Sequence, residues 1–172
     1  MANPEDYRAT MRPRNTGNLK VTTPTDREIA MTRVFDAPRN LVFDAMTTPE
    51  LLKRWLGVFG GWSLAVCEVD LRVGGAYRYL WRGPDGVEMG VRGIFREVLP
   101  PDRIVHTEAF DDPWYPGEAI VTTTFLEQSG KTTLTLTILY ESKEIRDEVL
   151  KSPMEHGVAT SYDTLAELLK SL

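Results

Sequence analysis

Six segments in the middle of the chain share one pattern. SLAVCEVDL, AYRYLWR, VEMGVRGIFREV, RIVHTEAF, AIVTTTFLE and KTTLTLTILY are rich in β-branched and aromatic residues, with apolar and polar positions in alternation. That is the period of a strand with one buried face. The spacers VGG, GPDG, LPPD, DDPWYPG and QSG are turn chemistry. Connections this short join antiparallel neighbours, because parallel strands need long crossovers, so the pattern predicts a strongly bent antiparallel sheet. Upstream, LKVTT and EIAMTRVF, interrupted at Pro24, read as one bent first strand with Ile29, Met31 and Val34 as its apolar positions. Pro38 then opens a short helix carrying Leu41, Val42 and Ala45. A second follows Pro49 with Leu51, Leu52, Trp55 and Leu56 at helical spacing, and Gly57, Gly60 and Gly61 end it. A further short helix is expected near residues 143 to 151.

SPMEHGVATSYDTLAELLKSL closes the chain as a long helix with two unlike halves. At 100° per residue, Met154, Val158, Ser161, Tyr162, Leu165, Leu168, Leu169 and Leu172 share one sector, with Glu155, His156, Asp163, Glu167 and Lys170 opposite. Ser152, Pro153 and Glu155 have the spacing of a capping box with proline at the first helical position. The C-terminal half of the stripe is leucine. The N-terminal half offers Gly157, Val158 and Ser161, which allow either very close packing or a hollow.

At 172 residues and 42% apolar content, the chain suits one well-buried core rather than two. Residues 1 to 18 carry no apolar period and are expected as a flexible N-terminal tail, with a single domain over 19 to 172. A net charge of −5 argues against nucleic acid or an anionic membrane as main partner. One cysteine permits no internal disulfide, and no stretch reaches the ~18 apolar residues of a membrane span. The expectation is a cytoplasmic protein.

Several short motifs fail on inspection. SGKT at Ser129 to Thr132 lacks the glycine that a phosphate loop needs at the position of Phe125, and it joins two strands, so it reads as a hairpin turn. HTE at His106 to Glu108 has no paired cysteines to make a deaminase zinc site. Glu108, Asp111, Asp112 and Glu118 lack calcium-loop spacing and read as a solvated acidic loop. His156 falls on the polar face, and His106 lies on a strand whose two faces are equally mixed. Cys67 shares a face with Ala65, Val69 and Leu71 and reads as a small buried hydrophobe. No G-x-S-x-G elbow is present, and no residue set calls for a metal or cofactor.

What remains is AYRYLWR, where Tyr77, Tyr79 and Trp81 alternate with Arg78 and Arg82, so rings face in and arginines out. With Met89 and Phe125 joining them, these rings face the small-sided half of the closing helix. The residues leave two readings open, a cavity or a helix packed tightly on the rings.

APRNLVFDAMTTPELLKRWLG, VCEVDLRVGGAYRYLWRGPDG, GIFREVLPPDRIVHTEAF and MEHGVATSYDTLAELL together resemble one family. It is the SRPBCC group similar to the C-terminal domain of the activator of the heat-shock-protein ATPase. The resemblance implies an α+β helix-grip fold, with a curved antiparallel sheet of about six or seven strands wrapped around a long C-terminal helix and a deep apolar pocket between them. It implies a hydrophobic, apolar or aromatic small molecule as ligand and a stress-related role. The pocket is placed at Tyr77, Tyr79, Trp81, Met89, Phe125, Val158, Ser161 and Tyr162, with no catalytic residue, metal or cofactor. A monomer or sheet-mediated homodimer is expected. Full co-chaperones of this kind carry a separate N-terminal domain that this length does not accommodate, so chaperone interaction is the weaker implication. The alternative functions are a polyketide cyclase or aromatase-like enzyme, with Tyr77, His106 or Glu108 as acid or base, and a chaperone-interacting protein.

Overall fold

The break at Pro24 is a chain reversal, not a bend. In a computed structural model, which describes residues 18–172, β1 (Lys20–Thr22) folds back antiparallel on β2 (Glu28–Phe35), pairing Val21 with Met31. The single bent strand expected there is therefore two. With β3 (Ser63–Val69), β4 (Ala76–Arg82), β5 (Glu88–Leu99), β6 (Arg103–Phe110), β7 (Ala119–Gln128) and β8 (Lys131–Leu139) the sheet has eight strands, ordered β1-β2-β8-β7-β6-β5-β4-β3. Every pairing is antiparallel. The expected tail falls, but for Asn18, outside the described residues.

Two helices, α1 (Arg39–Thr47) and the single turn α2 (Pro49–Leu52), fill the long connection from β2 to β3, and α3 (Lys143–Leu150) precedes the closing helix α4 (Met154–Leu169). The second helix is shorter than its apolar spacing suggests. Trp55 and Leu56 follow it in turns, and the Trp55 indole N–H is satisfied by the Ala45 carbonyl at 2.9 Å. This is the helix-grip arrangement, an α+β fold. Among the described residues no helix is long and apolar enough to cross a membrane.

The core lies between the inner face of the sheet and the helices. Ile29, Met31, Phe35, Val121, Phe125, Leu134 and Ile138 supply the strand side; Val42, Leu52, Trp55, Leu165 and Leu168 supply the helix side. In β2 the inward set is Ile29, Met31, Arg33 and Phe35, while Val34 points outward and is 56% exposed. The exception inside is Arg33, which reaches Asp163 of α4 at 2.6 Å and lies over the Phe35 ring at 5.2 Å. A bulge between Leu64 and Val66 turns β3 so that Leu64 and Cys67 both face inward. Burial pushes the Cys67 thiol up to about 11, consistent with a small apolar side chain and not a nucleophile.

The SGKT segment is the β7–β8 hairpin. Gln128 pairs with Lys131, and Ser129 and Gly130 both take positive φ, 53° and 75°, as a two-residue turn of this hand requires. The expected capping box does not form. The Ser152 hydroxyl donates backward to the Val149 carbonyl at 2.6 Å, closing α3, and only weakly accepts from Met154 N–H at 3.4 Å. Pro153 is the residue at the start of α4 and supplies no side-chain acceptor. His156 is half-buried, with its Nδ1 enclosed and unpaired, where the helical wheel places it in solvent.

Candidate binding site

Tyr77, Tyr79 and Trp81 form a ladder on the inner face of β4, with ring centroids 5.0 and 5.8 Å apart. Each end of the ladder is fastened. The Tyr77 hydroxyl donates to the Thr107 carbonyl at 2.7 Å. Opposite Tyr77 in β5 stands Gly93, where a Cβ would lie 1.9 Å from the Thr107 carbonyl oxygen and 2.5 Å from the Tyr77 ring. Only glycine admits this crossing. At the other end the Trp81 indole N–H donates to the Leu56 carbonyl at 2.8 Å. Gly57, at φ 68°, would place a Cβ 2.4 Å from the indole nitrogen.

The small-sided half of α4 has a specific use. Gly57 N–H donates to the Ser161 hydroxyl at 3.0 Å, so the loop after α2 is gripped between Ser161 and Trp81. A larger residue at 161 would evict it. Ser161 is therefore a wall and not a gap.

The other expected lining residues divide. Phe125 packs on Phe43 at 5.2 Å, and Tyr162 sits between Phe35 at 5.6 Å and Trp55 at 6.1 Å. These rings belong to the closed end of the core. Tyr79, Met89, the cross-strand partner of Trp81, and Val158 are packed against the core yet keep part of their surface accessible.

The inner face of β6 adds residues that periodicity left undecided. The Phe95–His106 and Val91–Phe110 pairings put His106, Glu108 and Phe110 on the same side as the tyrosines. His106 stands edge-on to Tyr77 at 4.7 Å and to Phe95 at 5.9 Å. Its Nδ1 faces the Thr107 carbonyl at 3.0 Å; a carbonyl only accepts, so this nitrogen carries the proton and Nε2 presents a lone pair. Burial lowers the imidazole pKa, against the effect of that carbonyl. The ring is neutral at pH 7.

Glu108 corrects the solvated-loop reading. It lies in β6, not in a loop, and burial pushes its carboxyl up to about 7, opposed only by the Tyr115 hydroxyl, which donates to Oε1 at 3.5 Å. Its charge reaches Tyr77, Tyr79, Tyr115 and Tyr140, all held well above their ordinary range mainly by burial. Among the described residues no lysine or arginine pairs with it. Asp111, its neighbour in sequence, is instead held by Arg78 and by Arg92 outside the sheet.

Tyr79, His106 and Glu108 lie deep in the fold, yet each keeps some water-accessible surface. Two hollows lie away from the ladder. One is an open depression of about 520 Å³ over Thr25, Asp26, Arg27, Glu28 and Leu139. The other is a niche of about 10 Å³ against Val21, Ile29, Val149 and Met154, room for one water at most. The first is an open surface dip lined mainly by polar residues, which offers a ligand little to bind.

Residues 36–170 match the profile of the family described as Activator of Hsp90 ATPase homolog 1-like protein. The chain is similar to a crystal structure from Rhodobacter sphaeroides, at 30% identity over 90% of this chain and 99% of that one, with TM-score 0.85. It is similar also to a Chromobacterium violaceum protein, at 31% identity over 84% and 98%, with TM-score 0.72. An AHSA1-like protein from Aeromonas hydrophila, 20% identical over 82% and 93% with TM-score 0.67, shares the fold. No protein of curated function matches the sequence.

Proposed function

The chain belongs to the Activator of Hsp90 ATPase homolog 1-like family, and we propose that it binds an apolar or aromatic small molecule in a recess between β4, β6 and the N-terminal half of α4. The observation that carries this reading is the partial accessibility of Tyr79, His106 and Glu108 at a depth where interiors are otherwise closed. The chemistry fits a ligand site, with aromatic and apolar walls and a few convergent polar groups. The polar groups are the His106 Nε2 lone pair, the Glu108 carboxyl and the Tyr79 hydroxyl, none of which makes a strong hydrogen bond among the described residues. The family's helix-grip fold is one known for holding ligands, and a cytoplasmic, stress-related binding role follows as part of the same reading.

The neutral apolar dye N-phenyl-1-naphthylamine tests it. The protein should bind one dye per chain with enhanced emission, and Val158→Phe, which adds a ring at a half-buried position, should remain folded and bind at least about tenfold more weakly. Absence of saturable binding by the parent would remove the reading.

A second reading is acid–base turnover of a cyclase or aromatase kind. It is favoured by one observation, a carboxyl titrating at about 7 on the same strand face as a neutral imidazole. Turnover of an aromatic polyketide that His106→Ala abolishes is its requirement.

A further inference from the structure

Glu108 lacks what a buried carboxylate ordinarily has. Such groups are almost always paired with a cation or saturated with donors. Among the described residues the one donor is the Tyr115 hydroxyl, at a long 3.5 Å, and no basic side chain reaches the carboxylate. The groups its charge reaches are tyrosines. Tyr77 and Tyr79 stand on the β4 side. Tyr115 packs edge-on to Tyr140 at 5.4 Å and to Phe110 at 5.8 Å on the other.

We propose that the recess takes an organic cation, an amine or quaternary ammonium carried on an apolar body, with its charge held between the Glu108 carboxylate and the surrounding tyrosine rings. The inference rests on the ligand-binding reading above and specifies its substrate class. A carboxylate accepts and cannot donate, and aromatic faces attract positive charge. A ligand cation would supply the one partner this cluster lacks. An anionic head group would meet Glu108 with no cation of the described residues beside it, since Arg78 and Arg92 are engaged with Asp111 on the other face of the sheet. A neutral alcohol would bond to the carboxylate but leave its charge buried.

The site is also pH-sensitive. Glu108 titrates at about 7, so its ionised fraction rises about tenfold between pH 6 and pH 8. The phenols that face it stay protonated through that window. The phenols Tyr77 and Tyr79 of β4, Tyr115 of the β6–β7 loop and Tyr140 after β8 are raised, and His106 is lowered. Glu118, ahead of β7, raises Tyr77, and neither it nor any charged group of α4 is among the groups that shift Glu108.

The test compares benzyltrimethylammonium, whose charge is independent of pH, with its uncharged carbon isostere neopentylbenzene, each displacing N-phenyl-1-naphthylamine. The cation should bind about tenfold more tightly at pH 8 than at pH 6, and the isostere equally at both. Glu108→Gln should abolish the pH dependence and weaken the cation relative to the isostere. Equal affinity of cation and isostere at pH 8, or a pH dependence that survives in Glu108→Gln, overturns the inference and leaves an apolar pocket standing. Failure of dye, cation and isostere alike overturns the pocket reading and this inference with it.

Discussion

Replacing Glu108 with glutamine should stabilise the protein, and only above mild acidity. The carboxyl titrates near 4.5 when exposed and at about 7 in the fold, because burial disfavours its charge more than Tyr115 favours it. Between those values the unfolded state has released the proton that the folded state still holds. Stability therefore falls as pH rises through this window and levels off above it. At about 1.4 kcal/mol per pH unit, the interval corresponds to roughly 3 kcal/mol lost by pH 8, of which less than ~1 kcal/mol is already lost at pH 5. Glutamine has nearly the same shape and never ionises, so it avoids the loss.

The assay is urea denaturation of parent and Glu108→Gln across pH 5 to 8, with equal slopes as the condition for comparing midpoints. The variant should gain about 2 to 3 kcal/mol on the parent between the two ends of the range. Other groups titrate too. His106, lowered by burial, destabilises the fold as pH falls, but it does so in both proteins and drops out of the difference. Parallel curves would refute the reasoning, since they would mean that Glu108 ionises as freely in the fold as out of it and is neither enclosed nor unpaired.

Ser161→Ala should cost about 1 kcal/mol or somewhat more, because the half-buried Gly57 N–H loses its acceptor; an unchanged urea midpoint would show that the loop is not held through Ser161. Gly93→Ala should be more damaging, about 1 to 3 kcal/mol or beyond, since the Thr107 carbonyl it meets is backbone and cannot swing aside. The same change should alter the near-ultraviolet circular dichroism of Tyr77, and a wild-type spectrum and midpoint would contradict the close crossing. Ser152→Ala should weaken α4 by less than the ~1 kcal/mol of a true cap, because that hydroxyl mainly serves the Val149 carbonyl, which thermal melts can decide.

The sheet was legible where alternation was clean. In β4 every second residue is aromatic and the structure turns those rings inward. It was less legible in β2, where Arg33 occupies a core position and Val34 a surface one, because an ion pair with Asp163 from a distant helix overrides the local pattern. β6 carries polar residues on both faces, so period alone could not place His106 or Glu108; pairing with Phe95 and Phe110 decides it. A glutamate inside a strand that runs on to Phe110 was the available signal that this acid is not in a loop. The extra strand β1 was hidden by its three-residue length. The role of Ser161 depends on a contact with Gly57, 104 positions away, and no local motif encodes that.

An apolar recess lined by β4, β6 and the start of α4 would show itself in methyl NMR during titration with N-phenyl-1-naphthylamine. The methyl groups of Met89, Met154 and Val158 are half-buried at the expected mouth, Met31 is fully enclosed elsewhere in the core, and Leu126 is 56% exposed on the outer face. Saturable shifts are expected at Val158 and Met154, accompanied by Met89, at one dye per chain, with Leu126 unmoved. Shifts confined to Leu126 and other outer-face methyls, or no saturation at all, would contradict it.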